Sequence, residues 1–129
     1  MRHRKKRTKS IRWGIQKSDN KLRNLLTSLI ENGQIKTTKK KAKVLKANWD
    51  KFFAKLISKF DKYEDEKEVK REIIRQVKSV VYTKKAWKKV VEELIPRYKK
   101  EEKKSWFIAD YKLGFRKGDW AEEILVKLL

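Results

Sequence analysis

Hydrophobic positions recur at three- and four-residue steps through most of this chain and change to alternation only towards its C-terminal end. Leu22, Leu25, Leu26, Leu29 and Ile30 share one helical face behind Ser18, Asp19 and Asn20, all good helix caps, and Asn32-Gly33 supplies a left-handed stop. Gln34-Ile-Lys-Thr-Thr38 is short, β-branched and alternating, which predicts a brief strand, with Thr38 placed to cap the next helix. Ala42, Leu45, Trp49, Phe52, Leu56 and Phe60 mark that second helix. After the acidic break from Asp61 to Asp65, Val69, Ile73, Val77 and Val80 mark a third. Thr83 caps a fourth, whose stripe of Trp87, Val90, Val91, Leu94 and Ile95 is expected to end at Pro96. The third and fourth should pack as a helical hairpin, followed by a polar loop from Lys99 to Lys104. Residues 106–113 and 121–129 read as strands joined through Gly114-Phe-Arg-Lys-Gly-Asp119. The expected fold class is α+β: about four helices packed with a small antiparallel β-sheet, preceded by an extended basic N-terminal arm.

Residues 1–17 lack apolar periodicity and define that arm, expected to order on binding, while residues 18–129 form a single α+β globular domain. With 39% hydrophobic and 43% charged residues, burial only just offsets chain entropy, so a partner is expected to supply part of the stability.

Charge decides what that partner is. Thirty-eight Lys and Arg against seventeen Asp and Glu leave a formal net charge of +21 on 129 residues. Such a chain repels itself, whereas a polyphosphate converts the same charge into affinity by releasing counterions. Arg2, Arg4, Lys5, Lys6, Arg7, Lys9 and Arg12 precede the first acid, Asp19, and form a candidate nucleic-acid contact; Trp13 among them either stacks on a base or packs back on the domain. Lys39, Lys40, Lys41, Lys43 and Lys46 crowd the start of the second helix, where positive charge opposes the macrodipole and so serves phosphate better than it serves the helix. Trp49, Trp87 and Trp106 lie on apolar stripes and are expected in the core.

Catalytic chemistry has little material here. Cysteine is absent and His3 is the single histidine, which excludes thiolate zinc sites, thiol nucleophiles and Ser-His-Asp machinery, so no metal, cofactor or catalytic residue is expected and the protein is read as a non-enzyme. His3, between Arg2 and Arg4, suits a phosphate or base contact. Glu92-Glu93 and Glu122-Glu123 are neighbours that point apart and make no acid/base pair. No apolar run approaches a membrane span or a signal sequence, and a cytoplasmic protein without a membrane or small-molecule substrate is expected.

Several short motifs succeed one another along the chain: Met1-Arg-His-Arg-Lys5, Leu22-Arg-Asn-Leu25, Ile35-Lys-Thr-Thr38 with Lys41-Ala-Lys43, Pro96-Arg-Tyr98, and Lys112-Leu-Gly-Phe-Arg-Lys-Gly-Asp119-Trp-Ala121. In order and spacing they resemble the bacterial large ribosomal subunit protein seventeen family. The resemblance implies a structural constituent of the large subunit that binds and stabilises its rRNA, with large-subunit ribosomal proteins twenty-two and thirty-two as neighbours. It points to Arg2, His3, Arg4, Lys5, Arg23, Asn24, Lys36, Thr37, Thr38, Lys41, Lys43, Arg97 and Arg116 as RNA contacts. Two stretches depart from it: Lys103-Lys-Ser-Trp-Phe-Ile108 replaces a glycine pair and a Tyr-Thr-Arg run, and the segment from Asp61 to Trp87 shows no family motif.

The competing class is a DNA-binding or DNA-compacting basic protein, which should carry a recognition helix rich in Arg, Asn and Gln; none is apparent. An RNA-processing enzyme would need convergent carboxylates or a histidine pair. At the turn, Gly114 and Gly118 are expected to supply positive φ and Asp119 to close the loop, so that Arg116 is held outward and Gly118→Val distorts the hairpin.

Overall fold

The computed structural model describes residues 15–129; the expectations for Arg2 to Trp13 lie outside the described residues. The chain runs α1 (Ile15–Asn32), β1 (Gln34–Thr38), α2 (Lys39–Lys62), α3 (Glu66–Val80), α4 (Lys84–Lys89), a π-helical turn (Val90–Leu94), α5 (Ile95–Lys100), β2 (Ile108–Phe115) and β3 (Glu122–Leu128). The expected α+β class holds: helices pack on a three-stranded antiparallel sheet of order β1-β3-β2, with the last strand in the middle.

Helix α1 starts at Ile15, so Ser18, Asp19 and Asn20 lie inside it rather than capping it. Ser18 is buried there. Gly33, at φ 77, stops the helix as its N–H bonds the Leu29 carbonyl at 2.8 Å. Strand β1 spans the expected five residues, but the Thr38 side chain makes no cap on α2. Thr83 does cap α4, accepting from the Ala86 N–H at 3.3 Å, and Asp65 caps α3 by accepting from Lys67 at 3.0 Å.

Pro96 does not end the fourth helix. A proline in an α-helix lacks an N–H and clashes with the carbonyl four residues back. Here the preceding turn widens into a π-helix, the Ile95 N–H reaching the Val90 carbonyl, and the helical path continues to Lys100. The polar loop expected from Lys99 is therefore shortened.

The core joins both layers. Leu22, Leu26, Leu29 and Ile30 of α1 meet Ala42, Val44, Leu45, Trp49, Phe53 and Leu56 of α2, Val69, Ile73 and Val77 of α3, and Ile124, Val126 and Leu128 of β3. Phe53, Tyr98 and Phe107 form an aromatic triad with centroid separations of 6.0, 5.8 and 5.0 Å, which ties α2 to α5 and to the entry of β2. Leu25, on the apolar face expected for α1, is only partly buried at the edge of this core, and Val44 and Phe53 are core residues outside the stripe expected for α2. Trp106 is the larger departure: it is 68% exposed, with Phe107 beside it taking the core position.

Leu45, fully buried, is expected to cost about 2–5 kcal/mol when changed to alanine, against a total stability of about 5–15 kcal/mol for a domain. Leu25→Ala should cost less than that range. Thermal or urea melts of the two variants check both the ordering and the depth of the stripe.

Candidate nucleic-acid interface

Helix α2 places its apolar stripe in the core and its lysines along the opposite side. Its start is electrostatically anomalous. The first turn carries Lys39, Lys40 and Lys41 and no acid, and no side chain caps it. By contrast α3 has a capping aspartate, Glu66 and Glu68 in its first turn and Lys78 in its last, the distribution the helix dipole favours.

Between α2 and β2 lies an open groove of about 570 Å³ lined by Lys39, Lys43, Lys46, Lys51 and Lys112. It runs into a second depression that shares Lys46, Asp50 and Lys51 and adds Lys104, Ser105 and Trp106. Six lysines thus line the two adjoining depressions. The carboxylates along them are engaged: Asp110 pairs with Lys46 at 2.9 Å, Glu122 with Lys39 at 3.1 Å, and Asp50 accepts the N–H groups of Phe107 and Ile108 at 3.1 and 3.0 Å. Burial pushes the Asp50 carboxyl above its usual range, although those two amides and the charges of Lys46 and Lys103 pull the other way. Lys43, Lys51, Lys104 and Lys112 are exposed and make no ion pair among the described residues.

The residues singled out from the sequence fall into two groups. Lys36, Thr37, Thr38, Lys41 and Lys43 come together at the β1–α2 corner, where Lys36 stands opposite Leu125 on the central strand and Thr38 opposite Glu123. Each of the three arginines has a partner within the protein. Arg23 hydrogen-bonds the Ser79 carbonyl and lies 5.7 Å from the centre of the Tyr82 ring, so it staples α1 to the end of α3; Asn24 beside it is exposed. Arg97 donates to the Leu129 carbonyl and covers the Tyr98 ring at 5.2 Å.

Arg116 pairs with Asp119, Nε to Oδ1 at 2.9 Å, in a two-pronged contact across the hairpin turn. Asp119 also accepts the Ala121 N–H at 3.2 Å, and the Trp120 N–H bonds the Arg116 carbonyl at 2.9 Å. The expected part for Gly118 is corrected: its φ is not positive, and open space lies where a Cβ would stand. The left-handed residues are Gly114, at φ 108 beside a bulge in β2, and Trp120, at φ 56. The turn spans residues 117–119, and the Trp120 N–H closes it on the Arg116 carbonyl.

Sequence spacing does not single out Lys51, Lys104, Lys112 or Trp106 as contacts. Lysines are spread so widely along this chain that spacing alone does not mark those which fold onto one groove; their signal lies in the packing of α2 beside β2.

The fold and the groove define a small, strongly cationic α+β protein whose exposed lysines line a channel and whose described residues include no group of His, Cys, Asp and Glu arranged to hold a metal. Residues 21–129 match the family model described as Ribosomal protein L17. The chain is 35% identical to the large ribosomal subunit protein bL17 of Thermotoga neapolitana, over all of this chain and 95% of the relative. It is 33% identical to that of Fervidobacterium nodosum over all of this chain and 99% of the relative, and 38% identical to that of Nautilia profundicola over 84% and 82%. The chain belongs to the ribosomal protein L17 family, and the family match runs through the segment from Asp61 to Trp87 that carries no recognisable short motif.

The Arg116–Asp119 contact lowers the Asp119 carboxyl to about 2, with the Ala121 amide adding to the guanidinium. A depressed carboxylate contributes order to the turn above its ordinary value near 3.8 and loses it as pH falls through about 2. NMR titration of Asp119 should show a midpoint near 2, moving up towards 3.8 in Arg116→Ala. Gly118→Ala should leave the hairpin resonances in place.

Proposed function

We propose that this protein is a structural constituent of the large ribosomal subunit, without enzymatic activity, which binds and stabilises large-subunit rRNA through its basic arm and the lysine-lined side of α2. The relatives' name supports the place in the subunit. The observation that carries the RNA contact is the contrast between the two helices: α3 is capped and charged for its own stability, whereas α2 begins on three lysines, without a side-chain cap, beside a groove lined with more. Charge that works against the helix is retained where a phosphate backbone compensates it.

Ribosomal RNA is recognised largely through shape, phosphate and 2′-hydroxyl contacts, which call for many cations and few base-reading forks. Lysine outnumbers arginine here, and Arg23, Arg97 and Arg116 are engaged within the protein. The proposed contacts are the arm residues Arg2, His3, Arg4, Lys5, Lys6, Arg7, Lys9, Arg12 and Trp13, together with Lys36, Thr37, Thr38, Lys41 and Lys43 at the β1–α2 corner. Large-subunit ribosomal proteins twenty-two and thirty-two are the proposed neighbours, in the cytoplasmic ribosome.

Filter binding of the whole chain to transcribed large-subunit rRNA across salt tests this. Affinity should fall steeply with salt, and charge reversal of Arg2, Arg4 and Lys5 should flatten the log-log slope by about one unit for each phosphate no longer neutralised. Lys43→Glu with Lys51→Glu should flatten it separately. Slopes equal to wild type in both variants would remove the arm and the groove from the RNA contact.

A further inference from the structure

Trp106 stands at one end of the lysine groove with its ring turned out to solvent. Its φ of 63 lies in the left-handed region, which a tryptophan rarely adopts, yet the ring is 68% exposed and contributes little to the core. That turn lets Phe107 enter the core and Asp50 take up its N–H, and it leaves a large aromatic ring in solvent beside the lysines. Lys46, itself paired with Asp110, holds its Nζ 5.2 Å from the ring centre and leaves most of the ring open. Lys51 and Lys104 line the same depression, and Lys43 and Lys112 continue it along α2 and β2.

We propose that this groove takes a single strand of RNA, its phosphates along the lysines and one unpaired base stacked on Trp106. The site rests on the RNA-binding reading above and adds to it a place and a mode. A cationic track that ends on an aromatic platform is the arrangement by which proteins hold single-stranded nucleic acid, since every base offers a π-face and every nucleotide a phosphate. The charge along the channel, six lysines against the three engaged carboxylates Asp50, Asp110 and Glu122, selects a polyanion over an apolar peptide.

The test uses the whole chain and transcribed large-subunit rRNA, with wild type, Trp106→Gly and Trp106→Tyr compared across salt. Glycine suits the left-handed backbone, so Trp106→Gly removes the ring without straining the fold, which circular dichroism checks. Trp106→Gly should weaken binding about 5- to 150-fold, the range set by loss of one base stack, with an unchanged salt slope because no cation is removed. Trp106→Tyr should stay within about threefold of wild type, since a ring remains. A Trp106→Gly variant that binds like wild type, while wild type shows its steep salt dependence, overturns the stacking site and leaves the RNA-binding reading standing. Absence of salt-dependent binding by wild type removes that reading and this one with it. Wild-type affinity of Trp106→Gly for naked rRNA together with poor incorporation into the subunit also overturns the proposal, assigning the ring to a protein neighbour.

Discussion

The positions of the sheet and the lysine groove depend on how α2 is held against the entry of β2. Two contacts do this. Phe53 packs against Phe107 and Tyr98 at 5.8 and 6.0 Å, and one turn earlier Asp50 accepts the N–H groups of Phe107 and Ile108. The first contact brings α5 into the same cluster, and the second satisfies backbone amides where the loop becomes a strand. With that joint made, Ile108 starts pairing with Leu128, β3 runs back between β1 and β2, and the outward lysines of α2 face Lys112 across the groove. Burial raises the Asp50 carboxyl, so the joint carries a cost that its two amide bonds offset.

Charge explains why the joint has to be firm. At +21 the folded chain works against its own repulsion, and the ion pairs among the described residues are few and mostly at the surface, where each contributes little. Lys59 with Glu72, at 3.0 Å, ties α2 to α3, and there the carboxyl is held below its usual range by the hydrogen bond from Lys59. The remaining burden falls on the apolar core and the aromatic triad. Lys43, Lys51, Lys104 and Lys112, which no carboxylate among the described residues neutralises, all lie on the groove.

Helical periodicity made most of the fold legible. The five residues of β1, the Gly33 stop and the Thr83 cap all follow from local chemistry that tertiary packing does not override. Where local rules failed, a specific competitor prevailed. Pro96 was outweighed by a π turn that re-routes the hydrogen bonds, and Thr38 stands at the head of a helix whose other end is better satisfied than its start. The order of the sheet, with the last strand central, was not readable from alternation, which reports a strand's faces and not its partners. The groove was invisible for the same reason: it is made by two elements far apart in the chain, as the Lys46–Asp110 pair, 64 residues apart, illustrates.

Tryptophan separates most clearly what sequence and structure each report. On an apolar stripe Trp49, Trp87 and Trp106 look alike, yet Trp49 is buried, Trp87 is half-buried beneath the Lys78 ammonium at 4.6 Å, and Trp106 is turned out by one left-handed residue. A single φ therefore moves a large ring from the core to the surface, while its neighbour Phe107 fills the core position. The same device recurs at the hairpin, where Trp120 at φ 56 is 77% exposed beside Phe115 at 6.2 Å. Twice, then, the chain spends backbone strain to keep indole in solvent. Hydrophobic burial would favour the opposite arrangement at both positions, and contacts within the fold compensate it: Phe107 enters the core beside Asp50 at the first, and the Trp120 N–H bonds the Arg116 carbonyl at the second.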